Sequence, residues 1–249
     1  MNLVFIRHGQ SLWNLENKFT GWVDIDLSEK GVVEAKAAGV TLIENNFYPK
    51  ICFTSYLKRS INTATHIIEN YKNINITFPI EKEWELNERH YGALQGLDKI
   101  EIAKKFGQEQ VHIWRRSFDT PPPMAELNSE HDPKTHRLYD DIESKLPLGE
   151  SLKDVVSRVT KIYEQILMMA NEKSVLVVAH GNSIRAMVKM LDNLSDKGIV
   201  DVNIPTGIPL AYNISDNNIE KIGYLGDEKA IKNLTKEVEM QSKITDKKG

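Results

Sequence analysis

Two short apolar runs in the chain have the pattern of β-strands that are buried on both faces. Residues 3–6 and residues 174–179 consist mainly of β-branched, aromatic and aliphatic side chains. Such runs are typical of parallel sheets that helices cover on both sides. A histidine follows each run closely, His8 after the first and His180 after the second. Because ligands bind beyond the carboxyl ends of the strands in open α/β sheets, the pattern predicts two imidazoles at one sheet edge.

Amphipathic helices alternate with strands along most of the chain. Helical spacing of apolar residues, with Ser28 and Ser151 as N-caps, predicts helices over residues 28–45, 57–71, 151–171 and 183–191. In the first of these helices, Val33, Ala37 and Val40 form the predicted apolar stripe. Further strands are predicted over residues 50–55, 74–78 and 84–86, and a hairpin over residues 208–214 and 219–223. The alternation predicts an α/β fold of three layers, a mostly parallel sheet covered by helices on both faces.

The middle of the chain interrupts this alternation. Residues 98–118 have helical spacing with a break at Gly107, whereas residues 124–148 are polar and irregular. The second stretch predicts a long loop with short helical pieces, and loops of that length are often functional. A tail from residue 227 begins with a helical pattern and ends in Lys-rich polar residues, which predicts a mobile end. Neither a repeat nor a linker divides the sequence, so we expect one domain over residues 1–249.

Composition excludes several classes of function. A formal charge of −3 gives no field that favours nucleic acid or an anionic membrane, and no apolar stretch has the length of a membrane span. We therefore expect neither partner. Cys52 is the single cysteine, which excludes internal disulfides and favours a reducing, cytoplasmic location. His131 and His136 lie in an irregular stretch and fit no ligand spacing, so we expect no metal site. The sequence also has no glycine-rich phosphate loop.

The residues at the predicted sheet edge support phosphoryl transfer. A neutral His8 is a nucleophile, and the neighbouring Arg7 favours that neutral form. Arg7 and Arg59 can hold phosphate oxygens bidentately, and His180 can donate to the same oxygens. Glu88 is a candidate acid and base for a reacting hydroxyl. Taken singly, each arginine also fits a surface ion pair, and Glu88 also fits an exposed carboxylate. Taken together, these residues indicate a metal-free phosphoryl-transfer site.

Several longer motifs resemble one family. The chain is similar to the 2,3-bisphosphoglycerate-dependent phosphoglycerate mutases of the histidine phosphatase superfamily. The similar segments run in order along the chain and lie at residues 7–9, 19–22, 86–96, 114–119, 179–182 and 203–210.

The resemblance implies an isomerase that interconverts 2-phosphoglycerate and 3-phosphoglycerate without a metal in glycolysis and gluconeogenesis. It implies that 2,3-bisphosphoglycerate primes the enzyme by phosphorylating His8 and that Glu88 moves the proton. Arg7, Arg59 and His180 would clamp the transferring phosphoryl group. The implied substrate contacts are Ser11, Asn14, Thr20, Gly21, Tyr91, Lys99, Arg115, Arg116, Gly181 and Asn182. Relatives of this kind form dimers or tetramers, so a homo-oligomer is expected.

The chain departs from the family at two places. Gln10 stands where the family usually has Glu, which removes a carboxylate beside the predicted nucleophile and could strengthen the local positive field. The tail from residue 227 resembles the family only loosely. Two alternatives stay open. One is a histidine phosphatase that transfers the phosphoryl group to water, and the other is a non-catalytic phosphate-binding module.

Overall fold

A six-stranded sheet runs through the part of the chain that the computed structural model describes, residues 1–216 and 218–242. Its strands are β1 (Leu3–Arg7), β2 (Ile51–Thr54), β3 (Ile80–Lys82), β4 (Val175–Ala179), β5 (Leu210–Ser215) and β6 (Asn218–Tyr224). They lie in the order β3-β2-β4-β1-β5-β6. The first four strands pair in parallel, whereas β5 is antiparallel to both of its neighbours. The predicted hairpin is confirmed as β5 and β6.

Helices cover both faces of this sheet. The described residues form the helices α1 (Leu12–Leu15), α2 (Glu29–Glu44), α3 (Lys58–Lys72), α4 (Lys99–Phe106), α5 (Gln108–Arg116), α6 (Leu152–Glu172), α7 (Gly181–Leu191) and α8 (Glu228–Ser242), of which α2, α3, α6 and α7 pack on the sheet. Leu3 and Phe5 of β1 pack in one core cluster with residues of α6 and α7. Val4 and Ile6 point to the opposite face, where they pack with residues of α2 and α3. The predicted three-layer α/β architecture is therefore confirmed.

The predicted helix starts are explained by side-chain caps. Ser28 accepts a hydrogen bond from the backbone N–H of Gly31, and Ser151 forms a reciprocal capping box with Asp154. These caps satisfy N–H groups that have no partner inside the helix. The predicted break at Gly107 separates α4 from α5, since this glycine has a φ of +89°. Residues 243–249, the end of the predicted mobile tail, lie outside the described residues.

The register of the sheet positions the two strand-end histidines. In the parallel pair β1–β4, Arg7 is opposite Ala179, and the backbone N–H of His8 donates to the carbonyl of Ala179 at 3.0 Å. His180 follows Ala179 directly, so the two histidines leave adjacent strands at the same level. Strand β2 lies on the other side of β4 with Thr54 opposite Val178. Three carboxyl ends of strands therefore meet at one edge, as the sequence predicts.

Two predicted strands are wrong. Residues 74–78 form no strand, because the N–H groups of Ile74 and Ile76 donate back to the carbonyl of Tyr71 at the end of α3. Pairing with β2 begins only at Pro79, whose carbonyl accepts from Cys52, and β3 follows it. Residues 84–86 form a short 3-10 helix instead of a strand.

The predicted helix α2 is confirmed, but its predicted apolar face is wrong. Val33 and Val40 are 66% and 45% exposed, whereas Ala38 and Leu42 are buried. The buried face consists mainly of small residues because α2 approaches other backbone very closely. A Cβ atom on Gly9 would lie 2.2 Å from a carbonyl oxygen of α2, so only glycine fits directly after His8. No helix in residues 1–216 and 218–242 combines the length and hydropathy needed to cross a bilayer.

We expect Leu42→Ala to lower the free energy of unfolding by about 2–5 kcal/mol, since loss of a fully buried side chain leaves a cavity. Val33→Ala on the exposed side of the same helix is the matched control and should change it by less than about 0.5 kcal/mol. Urea unfolding followed by circular dichroism measures both values. Equal losses for the two variants would contradict the observed orientation of α2.

Candidate active site

A pocket lies at the sheet edge where β1 and β4 end, and it collects most of the predicted site residues. Those that line it are Arg7, His8, Asn14, Thr20, Gly21, Arg59, Glu88, Tyr91, Lys99, Arg115, Arg116, Gly181 and Asn182. Among the described residues, seven lining side chains are cationic and Glu88 is the single carboxylate. The pocket is therefore built for an anion.

His8 lies in the pocket in a form suited to nucleophilic attack. Its Nδ1 is 2.7 Å from the carbonyl oxygen of Gly9, so Nδ1 carries the proton and donates it. The lone pair is then on Nε2. Burial holds the pKa of His8 well below its ordinary value, and the charges of Arg59 and Arg7 lower it further. His8 is therefore neutral at physiological pH.

His180 is adjacent to His8 and is buried more deeply. The centroids of the two rings are 4.9 Å apart. Nε2 of His180 contacts the hydroxyl of Ser55 at 2.7 Å, and that hydroxyl lies 2.6 Å from the hydroxyl of Ser60. Nδ1 is buried without a hydrogen-bond partner in the structure. Burial, followed by the charge of Arg59, lowers the pKa of His180 well below its ordinary value.

Two arginines fix the loops around the strand ends. Arg7 donates from Nη1 to the carbonyl of Ile204 at 2.9 Å. Arg59, in the first turn of α3, donates to the carbonyls of Val23 at 2.9 Å and Gly21 at 2.7 Å. The Nε atoms of both arginines are buried without a partner. Burial lowers the pKa of both, that of Arg59 to about 10, so a bound anion would stabilise these charges.

A second group of cations comes from the α4–α5 segment. Lys99 is the first residue of α4, and Arg115 and Arg116 are the last two of α5. Burial lowers the pKa of all three, that of Arg116 to about 10. The charge of Arg115 also lowers the pKa of Lys99 and of Arg116, so these cations repel one another. Arg116 donates to the amide oxygen of Asn203 at 2.8 Å.

Glu88 reaches the pocket from the loop after the 3-10 helix Trp84–Leu86. Its Oε1 accepts from the backbone N–H of Arg89 at 2.8 Å and from that of Asn182 at 3.0 Å. Asn182 lies in the first turn of α7, whose N-terminus favours negative charge. Two backbone donors therefore hold this carboxylate, one from its own loop and one from the helix that follows His180.

The predicted substrate contacts differ in what their side chains do. Ser11 is fully buried and caps α1 in a reciprocal pair with Asn14, and it is not among the lining residues. Asn14 does line the pocket. Gly21 has a φ of +54°, and a Cβ atom there would lie 2.0 Å from Oε1 of Gln95, so a larger residue would displace the Gln95 side chain, which accepts from the N–H of Trp22. His180 also lies outside the lining set and reaches the site only beside His8.

Sequence reasoning missed several lining residues. They include Lys18, Phe19, Arg185, Val202 and Ile204. Arg185 is one helical turn after Asn182 on α7 and donates to its side-chain oxygen at 3.0 Å. The i, i+3 spacing from Asn182, which follows the histidine–glycine pair, is the signal that could have identified it. Gln10 does not line the pocket, because its side chain accepts from the hydroxyl of Ser28 at 2.9 Å.

No group of three or more His, Cys, Asp or Glu side chains among the described residues is arranged to hold a metal ion. Charge in the pocket is instead supplied by arginine and lysine.

Comparison with known proteins agrees with this arrangement. The sequence profile of the histidine phosphatase superfamily (branch 1) matches residues 3–208 of the chain. The chain belongs to the histidine phosphatase superfamily.

Close relatives within the histidine phosphatase superfamily share one name. Proteins of Lachnoclostridium phytofermentans and Treponema denticola, both named 2,3-bisphosphoglycerate-dependent phosphoglycerate mutase, are similar to this chain. The first is 46% identical over 98% of this chain and 99% of its own length, and the second 50% identical over 93% and 94%. A solved mycobacterial glucosyl-3-phosphoglycerate phosphatase matches with a TM-score of 0.66 at 22% identity, covering 90% of this chain and 97% of its own. That likeness shows the shared fold alone.

Three buried histidines of this histidine phosphatase superfamily member couple its stability to pH. Burial lowers the pKa of His8, His180 and His90, that of His90 to about 3. In the neutral ring of His90, Nδ1 accepts from the N–H of Gly92, which places the proton on Nε2, and Nε2 donates to the carbonyl of His131. The unfolded chain protonates these rings below about pH 6.5, so it binds more protons than the folded chain there.

We therefore expect the free energy of unfolding to fall as the pH falls from about 6.5, by up to roughly 4 kcal/mol per pH unit if all three rings take up protons. His90→Gln should remove about one proton from this uptake and make the slope shallower. His112→Gln, at an exposed position of α5, is the matched control. Urea unfolding at pH 7.5, 6.5 and 5.5 measures the slopes, and a slope equal to wild type in His90→Gln would contradict a neutral His90 in the folded chain.

Proposed function

We propose that this chain is a 2,3-bisphosphoglycerate-dependent phosphoglycerate mutase, which interconverts 2-phosphoglycerate and 3-phosphoglycerate in glycolysis and gluconeogenesis. The observation that carries the proposal is a neutral His8 in a pocket of cations with Glu88 as its carboxylate. Phosphoryl transfer requires mainly positioning and charge stabilisation, which this pocket offers without a metal. The name shared by the two bacterial relatives supports the same activity.

The residues present fit a ligand with several anionic groups. Nε of Arg7, Arg59 and Arg185 and Nδ1 of His180 are buried without partners, so each can donate to an oxygen of a bound ligand when protonated. When bound, 2,3-bisphosphoglycerate supplies the phosphoryl group that primes His8.

In the proposed reaction, His8 attacks phosphorus through Nε2, the nitrogen that Gly9 leaves free. Glu88 then donates a proton to the oxygen that leaves, since the departing alkoxide is a poor leaving group. Arg7, Arg59 and His180 hold the oxygens of the transferring group, where negative charge is spread in the transition state.

The return transfer uses the same residues in opposite roles. Glu88 accepts the proton of the free hydroxyl of a bound monophosphoglycerate while that hydroxyl oxygen attacks the phosphorus on His8. The N–P bond breaks, and the electron pair returns to Nε2. Lys99, Arg115 and Arg116 would meanwhile hold the carboxylate or the second phosphate, so that the bisphosphate stays bound between the two transfers. Ser11, Asn14, Thr20, Gly21, Tyr91, Gly181 and Asn182 are the proposed remaining contacts, with Ser11 acting through the cap that orients Asn14.

A phosphatase that uses the same His8 is the second candidate, because the strand-end histidines serve either reaction. The α4–α5 cations favour the mutase, since they offer a second anion site that hydrolysis of a simple ester does not require. The assay is conversion of 3-phosphoglycerate to 2-phosphoglycerate in excess EDTA, with and without trace 2,3-bisphosphoglycerate. Stimulation by the bisphosphate supports the mutase, whereas release of inorganic phosphate without conversion supports the phosphatase.

We expect His8→Ala to lower mutase turnover by about 10⁴-fold or more and to abolish phosphorylation of the protein, because the nucleophile is lost. The matched control is His66→Ala on the outer face of α3, which should leave both unchanged. Turnover is followed as conversion of 3-phosphoglycerate to 2-phosphoglycerate, and phosphoenzyme is followed by intact mass after exposure to 2,3-bisphosphoglycerate. Persistent mutase activity in His8→Ala would refute the assignment.

We expect Arg116→Ala to reduce kcat/KM for 3-phosphoglycerate by about 10- to 100-fold, the scale of one lost charge-assisted hydrogen bond. Hydrolysis of 4-nitrophenyl phosphate should change much less, because that ester has no second anionic group for Arg116 to hold. Lys104→Ala on the exposed side of α4 is the control. Equal losses on both substrates in Arg116→Ala would argue against a second anion site.

The proposal also includes the wider expectations of the sequence. We place the enzyme in the cytoplasm, because its phosphoglycerate substrates belong to glycolysis and its single Cys52 suits a reducing compartment. We expect one domain over residues 1–249, a homo-oligomer, and no interaction with nucleic acid. Size-exclusion chromatography with light scattering measures the oligomeric state.

A further inference from the structure

Behind the loop that carries Glu88 lies a guanidinium whose donors are all used. Arg158 extends from α6, and its side chain is 6% exposed. Its Nη1 donates to the carbonyls of Glu85 at 2.5 Å and Asn87 at 3.2 Å, and its Nη2 donates to the carbonyl of Glu88 at 3.3 Å. The two remaining N–H groups go to the carboxylate of Glu150, at 2.7 Å from Nε and 2.9 Å from Nη2. All five donors of this arginine are therefore satisfied.

Glu150 binds both Arg158 and the backbone of the loop that carries Glu88. Its side chain is 3% exposed, so the ion pair with Arg158 is buried. Oε2 of Glu150 also accepts from the backbone N–H of His90 at 2.8 Å, and its own N–H donates to the carbonyl of His90 at 2.9 Å. The pair therefore contacts the loop backbone at Glu85, Asn87, Glu88 and His90.

Two indole rings enclose the guanidinium. Its central carbon lies 5.6 Å from the ring centroid of Trp22 and 5.8 Å from that of Trp84. The indole N–H of Trp22 donates at 2.5 Å to the carbonyl of Glu88, the same oxygen that Arg158 contacts. Arginine can stack on aromatic faces and donate several hydrogen bonds in one plane, which lysine cannot do.

We propose that Arg158, held by Glu150, is a positioning residue that sets the location of the Glu88 carboxylate for proton transfer. The inference deepens the proposed function and rests on it. Arg158 fixes the Glu88 backbone from the protein side, while the N–H of Asn182 fixes the carboxylate from the pocket side. Arg158 lies outside the lining set of the pocket and so acts through the loop.

Arg158 should matter for phosphoryl transfers that need a proton from Glu88 and not for those that need none. Proton transfer by Glu88 depends on its carboxylate lying within hydrogen-bond distance of the reacting oxygen. Attack by His8 on a phosphate ester with a good leaving group needs no such proton. A change at Arg158 should therefore affect phosphoryl transfer to and from phosphoglycerate oxygens and spare transfer from 4-nitrophenyl phosphate to His8.

The test compares these two reactions in Arg158→Lys and in the wild-type protein. We expect kcat for 3-phosphoglycerate to fall by up to about 100-fold with a KM within a few-fold of wild type, because misplacement by about 1 Å has effects of this size. The rate of the first, pre-steady-state turnover of nitrophenolate release, which reports phosphorylation of His8 alone, should change by less than a few-fold. Arg137→Lys, the same substitution at an exposed loop position, is the matched control and should leave both rates unchanged.

A double variant separates positioning from folding. Arg158→Met with Glu150→Met removes both charges and fills similar volume, a replacement of buried ion pairs that is often neutral or stabilising. We expect this protein to fold, to keep nitrophenolate release and to lose mutase turnover. A folded double variant with wild-type turnover would overturn the proposal, as would an equal loss of both reactions.

Epistasis with Glu88 supplies a readout that a purely structural role would not give. If Arg158 acts through Glu88, adding Arg158→Lys to Glu88→Gln should produce little further loss of mutase turnover. Losses that multiply would refute the positioning role. Failure of the proposed function has a different signature, since the wild-type protein itself would then show no conversion of 3-phosphoglycerate.

Discussion

Mutual repulsion among cations in one pocket is the constraint on which the rest of the site depends. Seven lining side chains of the described chain are cationic, and burial together with their neighbours' charges lowers the pKa of Lys99, Arg116 and Arg185. Such a group is unfavourable in the folded chain without an anion, because burial removes charges from water and the cations that it brings together repel one another. The same unfavourable free energy is recovered when phosphate and carboxylate oxygens bind, which makes the repulsion a source of affinity.

Backbone carbonyls around the pocket offset part of the free energy lost when the arginines are buried, and the same hydrogen bonds hold the loops in place. Arg7 donates to Ile204, Arg59 to Gly21 and Val23, and Arg185 to the carbonyl of Ile199 at 2.7 Å. These acceptors belong to loops rather than to strands or long helices. Each of these arginines can therefore bind an anion, and each also fixes a loop beside the pocket. Burial keeps both histidines neutral, and the same cations add to the effect, since Arg59 and Arg7 further lower the pKa of His8 and of His180.

The fold and the centre of the site could be predicted because strong local patterns specify them. Continuous apolar runs identify β1 and β4, and their parallel register alone places His8 beside His180. The features that could not be predicted depend on contacts that leave no periodic pattern in the sequence. Arg158 acts on backbone carbonyls from a position 70 residues away from Glu88. The buried face of α2 was missed because close backbone approach there selects small residues rather than large apolar ones.

The α4–α5 segment distinguishes this pocket from one built for simple hydrolysis. In the proposed reaction, the strand-end histidines and the arginines beside them form and break the N–P bond, a step that a phosphatase shares. A mutase must in addition keep a bisphosphate bound while its two phosphates exchange places, and it must keep water from the phosphoryl group on His8. In the proposed function Lys99, Arg115 and Arg116 supply charge for the second anion, and the carbonyl of Arg115 accepts from Arg89 at 2.7 Å. Because Arg89 directly follows Glu88, the second anion site and the proton-transfer residue are joined through one short segment of backbone.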